Sequence, residues 1–379
     1  MNFQFDQASL FWIITSGIFL AAFLVQMFYY LYFYLRVVLH KSTQAVTPSG
    51  QPVSVIICAR DEAENLEKNL PLILKQDYPD YEVIVVNDCS DDNTEEVLTR
   101  MKNEFKNLKY TKITKDPRFS HGKKLALSIG MKAAAFEWVL LTDADCRPAS
   151  PHWISHMQKH FIPPREIVLG YGGYERERGF LNKLIRYDTF FIALQYFSFA
   201  LAGLPYMGVG RNLAYRRPLF FSNRGFASHL KLESGDDDLF VNEVANKNNT
   251  SVEFNPSAHT ISIPGKTWKE WIIQKKRHLT TGLHYKGASP FWLGLENASR
   301  LLFYVSFLLL IINKIFLPFV AALFLIRLIP AIIILNKGMN RLNEKNLLVF
   351  SPLFDVGILL LNFLCVASNL TFQKRNRWR

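Results

Sequence analysis

The sequence predicts an α/β domain built on a mostly parallel sheet with helices on both faces, set between apolar segments able to cross a bilayer. Three observations carry this. Short β-branched runs alternate with helical patterns from residue 52 to residue 143, the mark of a parallel sheet with crossover helices. Clusters of acids follow those runs, so they gather beyond the carboxyl ends of the strands, where open α/β sheets bind ligands. Hydrophobic residues make up 49% of the 379, with 31 Phe, and the excess lies towards the two ends of the chain.

The first apolar segment has no charge between Asp6 and Arg36. Leu10 to Leu35 is long enough to span, which takes about 20 residues. A cleaved signal peptide is disfavoured, because the run is too long and no cation precedes it. Arg36, His40 and Lys41 follow it, so the positive-inside rule places the N-terminus outside and residue 41 onward in the cytoplasm. Pro52–Ala59 is the first predicted strand. The polar Arg60-Asp61-Glu62-Ala63-Glu64-Asn65 follows, then a helix through Leu66, Leu70 and Leu74. Tyr81–Val86 is the second strand; it leads into Asn87-Asp88-Cys89-Ser90-Asp91-Asp92-Asn93-Thr94, a turn feeding a helix, with Asp91 and Asn93 as capping candidates. Asn107–Lys112 is a third strand, and Leu125–Ala135 a helix preceded by His121-Gly122-Lys123-Lys124.

Trp138–Thr142 is a short apolar run that ends in Asp143-Ala144-Asp145. Asp-x-Asp in a loop often serves as a turn or cap. At the end of a buried strand, two carboxylates reach one point and fit a hard divalent cation, which is commonly held by one or two carboxylates and substrate phosphates. Asp88, at the end of the second strand, can accept hydrogen bonds from a nucleobase or ribose. Lys123, after a glycine, can meet a diphosphate or stand as a solvated first-turn lysine. The first turn lacks glycine, which excludes a G-x-G-x-x-G dinucleotide site, and no P-loop is present.

Further along, Phe180–Leu204 reads as aromatic interfacial helices rather than a span, because Lys183, Arg186 and Asp188 interrupt it. Gly208-Val209-Gly210-Arg211-Asn212 is a basic, glycine-spaced turn that can line a sugar or phosphate pocket. Ser234-Gly235-Asp236-Asp237-Asp238 sets three acids before a helix, more than capping requires, and one beside a hydroxyl can act as general base. Trp268 to His278 mixes Trp and Ile with Lys and Arg, as an amphipathic helix in the membrane interface does; Arg277 can instead clamp a pyrophosphate. Apolar blocks at 301–335 and 347–372 are broken by Arg327, Pro330, Pro352 and Asp355, so the number of C-terminal spans stays open. The basic clusters Lys337-Arg341-Lys345 and 374–379 both read as cytoplasmic. Both can be inside only if the last block is re-entrant or one cluster breaks the rule.

The net charge of +12 fits juxtamembrane Lys and Arg facing anionic lipid. No zinc spacing or RNA-binding aromatic pattern accompanies it, so nucleic acid is not an expected partner. Four widely spaced cysteines without a CxxC read as free thiols.

Taken in order, these motifs resemble the membrane-bound family 2 glycosyltransferases of GT-A fold, including the cellulose, hyaluronan and poly-N-acetylglucosamine synthases. The resemblance rests on Val53–Glu62, Val83–Asp88, Gly122-Lys123, Asp143–Asp145, Gly208–Asn212, Gly235–Asp237 and Gln274–His278, over roughly residues 50 to 290. It implies inverting transfer from a nucleotide-diphosphate sugar to a hydroxyl acceptor, glycan or lipid-linked, with Mg²⁺ or Mn²⁺. It implies Asp88 as the nucleobase-binding acid, Asp143 and Asp145 as the metal and diphosphate motif with Asp145 the direct ligand, and Asp237 as general base beside Asp236. Arg60, Glu62, Lys123, Gly210, Arg211 and Asn212 are the further expected donor-site residues, and Gln274 and Arg277 those of a Gln-x-x-Arg-Trp motif. The last position here is His278, not Trp, which bears on processivity and acceptor. A single-sugar transferase onto a polyprenyl phosphate or glycolipid, and a non-catalytic membrane scaffold of the same fold, are the rival readings. The expected organisation is an anchor (1–48), a cytoplasmic catalytic domain (49–260), an interfacial segment (261–297) and C-terminal membrane helices with a basic tail (298–379), in a multi-pass protein of the cell membrane.

Overall fold

The computed structural model describes residues 7–41, 50–114, 122–230, 232 and 234–371. The basic tail at 374–379 lies outside them. The elements in chain order are α1 (Gln7–Phe28), continued through a π turn at Tyr29–Tyr34 into α2 (Leu35–Leu39), β1 (Val53–Ala59), α3 (Ala63–Leu74), β2 (Tyr81–Asp88), α4 (Thr94–Glu104), β3 (Leu108–Ile113), α5 (Lys123–Ala133), β4 (Trp138–Asp143), β5 (Cys146–Pro148) and α6 (Trp153–Gln158). Then come β6 (Ile167–Leu169), β7 (Gly172–Tyr174), α7 (Phe180–Leu201), β8 (Leu213–Arg216), α8 (Arg217–Ser222), α9 (Asp238–Val244), β9 (Thr250–Val252), β10 (Thr260–Ser262), α10 (Trp268–Thr281), α11 (Ser289–Ile312), α12 (Leu317–Arg341) and α13 (Ser351–Thr371).

A seven-stranded sheet runs β3-β2-β1-β4-β8-β6-β9. The β3-β2-β1-β4 half is parallel, and β8 is antiparallel to both β4 and β6. Buried strands with both faces covered read as continuous apolar runs, and the alternation sorts them. Val53, Val55 and Ile57 face one core with Val83, Val85 and Leu140. Ile56 and Cys58 face the other with Ile84, Val86, Val139 and Leu141. In α3, Leu66, Leu70, Ile73 and Leu74 are buried, the helical spacing that packs onto the first of these cores.

The register fixes the working edge. Cys58 of β1 lies beside Asp143 of β4, and Ala59 beside Asn87, one residue before Asp88. Because β8 is antiparallel, with Leu213 beside Leu141, it is the segment before β8 that reaches this edge. A small second sheet, β5-β10-β7, stands next to it with Cys146, Ser262 and Tyr174 in one row.

Among the described residues, four helices are long and apolar enough to cross a membrane: Ser9–Leu39, Ser289–Ile312, Leu317–Arg341 and Leu348–Asn369. The charges that interrupt the C-terminal blocks meet one another. Arg300 Nη1 lies 2.9 Å from Asp355 Oδ1, Arg300 Nη2 3.3 Å from Glu296 Oε2, and Arg327 Nη2 3.3 Å from Asp355 Oδ2. Two guanidiniums against two carboxylates leave no net charge, and pairing is what allows ionisable groups within apolar helices. Phe180–Leu201 is one helix, not several. It is buried along most of its length, between the seven-stranded sheet and the apolar helices, with Phe199 stacked on Phe33.

Candidate active site

The site lies at the carboxyl edge of β1, β2 and β4. The turn after β1 is stitched to the turn after β2: Asp61 N–H donates to Ser90 Oγ (2.9 Å), Glu62 N–H to Thr94 Oγ1 (3.0 Å) and Ala63 N–H to Asp92 Oδ2 (3.0 Å). The capping role expected of Asp91 or Asn93 falls to Asp92, whose Oδ1 also accepts from Thr94 N–H at 3.0 Å. Asn93 sits at the cap position without a side-chain bond. This frame sets Arg60, partly exposed, and Glu62 at the mouth of the cleft. Burial raises the Glu62 carboxyl, with the charges of Asp145 and Asp143 adding to it. Asp88 is fully buried at the end of β2.

Asp143, Asp145 and Cys146 present ligand atoms within 4.8 Å of one another. Asp145 Oδ2 accepts from Ser262 Oγ at 2.6 Å, so β10 orients it. The Cys146 thiol is pushed up by burial and then by Asp145 and Asp143. It stays protonated, which leaves two carboxylates as the donors suited to a hard cation. Lys123 Nζ stands 2.8 Å from Asp143 Oδ1 and 3.2 Å from Asp236 Oδ2. Enclosure opposes its charge, but Asp143, Asp236 and Asp237 outweigh that and hold the ammonium well above its ordinary value. Enclosure also works against the Asp143 anion, yet Lys123 wins and its carboxyl is lowered. A cation is therefore already favoured between Asp143 and Asp236, and Lys123 fills that role here.

Gly210 and Asp237 meet across the cleft. Gly210 N–H donates to Asp237 Oδ2 at 2.7 Å, and Asp238 N–H donates to Oδ1 at 2.8 Å. A Cβ on residue 210 would sit 3.4 Å from both Asp237 Oδ2 and Lys123 Nζ, so glycine permits the close approach. Asp237 is the N-cap of α9, and a cap's hydrogen bonds ordinarily favour the charged form. Here burial, then Asp236 and Asp238, win instead and raise the carboxyl to about 7. Asp238 is turned away from the cleft, its Oδ2 bonded to Thr281 Oγ1 and Tyr285 Oη.

Arg211 reaches the same edge, its guanidinium 4.4 Å from the Tyr174 ring centre, where the charges of Asp145 and Asp143 act on it. Gln274 Nε2 donates to Tyr174 Oη at 3.1 Å. Tyr174 thus joins the turn before β8 to the helix that carries Gln274 and Arg277. A Thr267–Glu270 capping box starts that helix, and the 2.6 Å pair of Lys275 with Asp188 fixes it to α7. Arg277 helps to lower Asp143. His278 is exposed; the protein packed around it, then Arg277, Arg211, Lys275 and Lys123, lower its imidazole.

Asn212 is the exception among the expected substrate-binding residues. It is fully buried, accepts from Trp153 Nε1 (3.0 Å), and donates to the carbonyls of Tyr171 (2.9 Å) and Ala258 (2.7 Å). It shapes the turn and presents nothing to the cleft. Ser262 and Tyr174 carried no signal in the sequence, because three-residue strands far apart in the chain, β10 paired with β5 and β7, place them.

Fold and site together define a GT-A-like α/β domain with an acidic, cation-seeking cleft. Residues 54–221 match the family model Glycosyl transferase family 2, and the chain carries a family 2 glycosyltransferase domain. It is similar to the poly-β-1,6-N-acetyl-D-glucosamine synthase of Staphylococcus epidermidis, 33% identical over 93 residues, 24% of this chain and 21% of that protein. It is also similar to the enzyme of that name from Staphylococcus aureus strain COL, 28% identical over 162 residues, 41% of this chain and 37% of that protein. The matched stretches thus span well under half of these relatives. The solved mannosyltransferase PcManGT from Pyrobaculum calidifontis, in complex with GDP-Man and Mn²⁺, is 19% identical with a TM-score of 0.62, covering 96% of this chain and 99% of that one. That likeness bears on the fold.

Proposed function

We propose that this protein transfers a sugar, with inversion, from a nucleotide-diphosphate sugar to a hydroxyl acceptor, using a divalent metal and Asp237 as general base. The observation that carries the proposal is the meeting of the Asp143–Asp145 pair with Asp237 across Lys123 and Gly210. The synthases it resembles are named for a sugar polymer, and the solved mannosyltransferase holds GDP-Man and Mn²⁺.

Mg²⁺ or Mn²⁺ would be held by Asp145 and Asp143, where it neutralises charge on the leaving diphosphate. Asp88, Arg60 and Glu62 border the nucleoside end of the donor. Arg277, Arg211 and Lys123 would supply positive charge to the diphosphate. Asp237 takes the acceptor hydroxyl proton as the oxygen attacks the anomeric carbon. The bond from that carbon to the diphosphate oxygen breaks, and the nucleoside diphosphate leaves. Backbone N–H groups hold both Asp237 oxygens, so the base is oriented before substrate arrives. A carboxylate near pH 7 balances basicity against availability.

Single transfer onto a lipid-linked acceptor is the second reading. His278, where the processive synthases carry Trp, favours it, as do the apolar helices beside the cleft. Product analysis separates the two: one sugar on a lipid, or a polymer ladder. The test of the primary reading is the anomeric configuration of the product together with Asp145→Ala. Inversion, and loss of transfer in a folded variant, support it. A retained configuration would overturn the mechanism.

A further inference from the structure

The fourth apolar helix poses a topological question. By length and composition α13 can span a bilayer, yet apart from Asp355, which meets Arg300 of α11 and Arg327 of α12, its partners lie elsewhere. It packs along α10 and α7. Near its start, Phe354 packs edge-on against Phe180 and tilted against Tyr187 of α7, at ring-centre distances of 5.3 and 5.4 Å. Near its end, Asn369 Nδ2 donates to the Lys276 carbonyl at 2.9 Å, and Lys276 is on α10.

Both partners belong to the catalytic side. Helix α10 carries Gln274, bonded to Tyr174 at the active site, and Thr281, bonded to Asp238. The connection into α13 is fixed there as well. Glu344 accepts from Arg186 Nε of α7 (2.9 Å) and from Tyr171 Oη (2.9 Å), and Lys183 lies 4.2 Å over the Phe350 ring. A helix crossing the bilayer separates its ends by about 27 Å along the membrane normal. Here the end lies on α10 and the start on α7, which the Lys275–Asp188 pair clamps together, with Asp355 of the first turns also reaching Arg300 and Arg327.

From these contacts we infer that α13 does not cross the membrane. It lies along the catalytic-side surface with α10, its free face in the boundary between headgroups and acyl chains. That free face is apolar: Leu353 is 61% exposed, Leu360 49%, and Phe363 and Leu364 64% each. The opposite face, with Phe354, Ile358, Leu359 and Cys365, is buried on protein. Trp268 and Ile273 of α10 are exposed too, with Lys269 and Lys276 beside them in sequence, so apolar residues and cations meet a lipid surface together. The arrangement leaves the end of α13 on the same side as the basic cluster at 337–345. It also roofs the helix that carries Gln274 and Arg277 with a lipid-bound element.

The test is cysteine accessibility in sealed membrane vesicles of known orientation. The four native cysteines are buried and form no disulfide, so the wild type gives a silent background. Three full-length variants suffice: Lys132→Cys on the catalytic domain, Asn313→Cys between α11 and α12, and Arg379→Cys. With a membrane-impermeant maleimide, Arg379→Cys should label together with Lys132→Cys, and Asn313→Cys from the opposite face. Labelling of Arg379→Cys with Asn313→Cys would overturn the inference. A second readout is lipid quenching of a fluorophore at Leu353→Cys, Leu360→Cys and Leu364→Cys. Equal depths are expected, whereas a spanning helix would separate the first and last by about 16 Å. Neither readout depends on enzymatic activity, so failure here leaves the proposed reaction standing, and the reverse also holds.

Discussion

Replacing Asp237 by Asn tests the base while sparing the fold. Asn caps a helix as well as Asp does, and its size is unchanged. One of its two ends becomes an amide donor, so either the Gly210 N–H or the Asp238 N–H bond, now 2.7 and 2.8 Å, is lost at about 1–3 kcal/mol. The substitution also removes the repulsion from Asp236 and Asp238 that, with burial, raises this carboxyl. The two effects oppose each other, and the melting temperature in detergent should move little. Loss of a general base costs about 10²- to 10⁴-fold, and kcat should fall by that much. In the wild type, kcat/KM should rise about tenfold per pH unit up to about 7, then level. The sign for stability is the reverse. Between its ordinary 3.8 and about 7 the folded state keeps a proton that the unfolded chain has lost, so this group's contribution to stability falls as pH rises through that window. The assay is nucleoside diphosphate release with acceptor, from pH 5 to 9. A variant that keeps more than a tenth of wild-type kcat, or the same ascending limb, would refute the assignment.

Ser262→Ala removes the 2.6 Å hydrogen bond that orients Asp145 and should raise the metal concentration for half-maximal activity about tenfold, with kcat at saturating metal nearly kept. Tyr174→Phe keeps the ring under Arg211 but loses the 3.1 Å bond to Gln274; about 1 kcal/mol predicts a donor KM about fivefold higher. Asn212→Ala leaves one indole N–H and the Ala258 carbonyl unanswered in a buried position, while the Tyr171 carbonyl keeps the Thr260 N–H, so a loss of about 2 kcal/mol is expected at roughly 1 kcal/mol per group. A thermal melt reads it; an unchanged melt would return Asn212 to the list of substrate contacts.

The parallel half of the sheet was legible because β1, β2 and β4 are buried on both faces and read as unbroken apolar runs bounded by polar turns. The acids at their ends were legible for the same reason, since a strand's end fixes where the next residue stands. The second sheet was not. Strands of three residues, Cys146–Pro148, Gly172–Tyr174 and Thr260–Ser262, carry no period, and only long-range pairing makes them strands. Ser262 and Tyr174 were hidden with it. Asn212 was read as a ligand because its motif suggested one, while the indole and carbonyls that occupy it come from Trp153, Tyr171 and Ala258. Arg327 and Asp355 looked like breaks in apolar blocks; they are partners, 3.3 Å apart. The inferred number of crossings rests on the contact between Asn369 and Lys276, which no hydropathy window contains.

The central claim is metal-assisted transfer from a nucleotide sugar. The most direct measurement is a screen of nucleotide-diphosphate sugars for nucleoside diphosphate release by the purified full-length protein. It is run with Mn²⁺, with Mg²⁺ and with chelator, and repeated for Asp145→Ala. The prediction is release from at least one donor that disappears with chelator and in the variant, and returns to the wild type when metal is restored. Release that persists undiminished in chelator and in Asp145→Ala would contradict it.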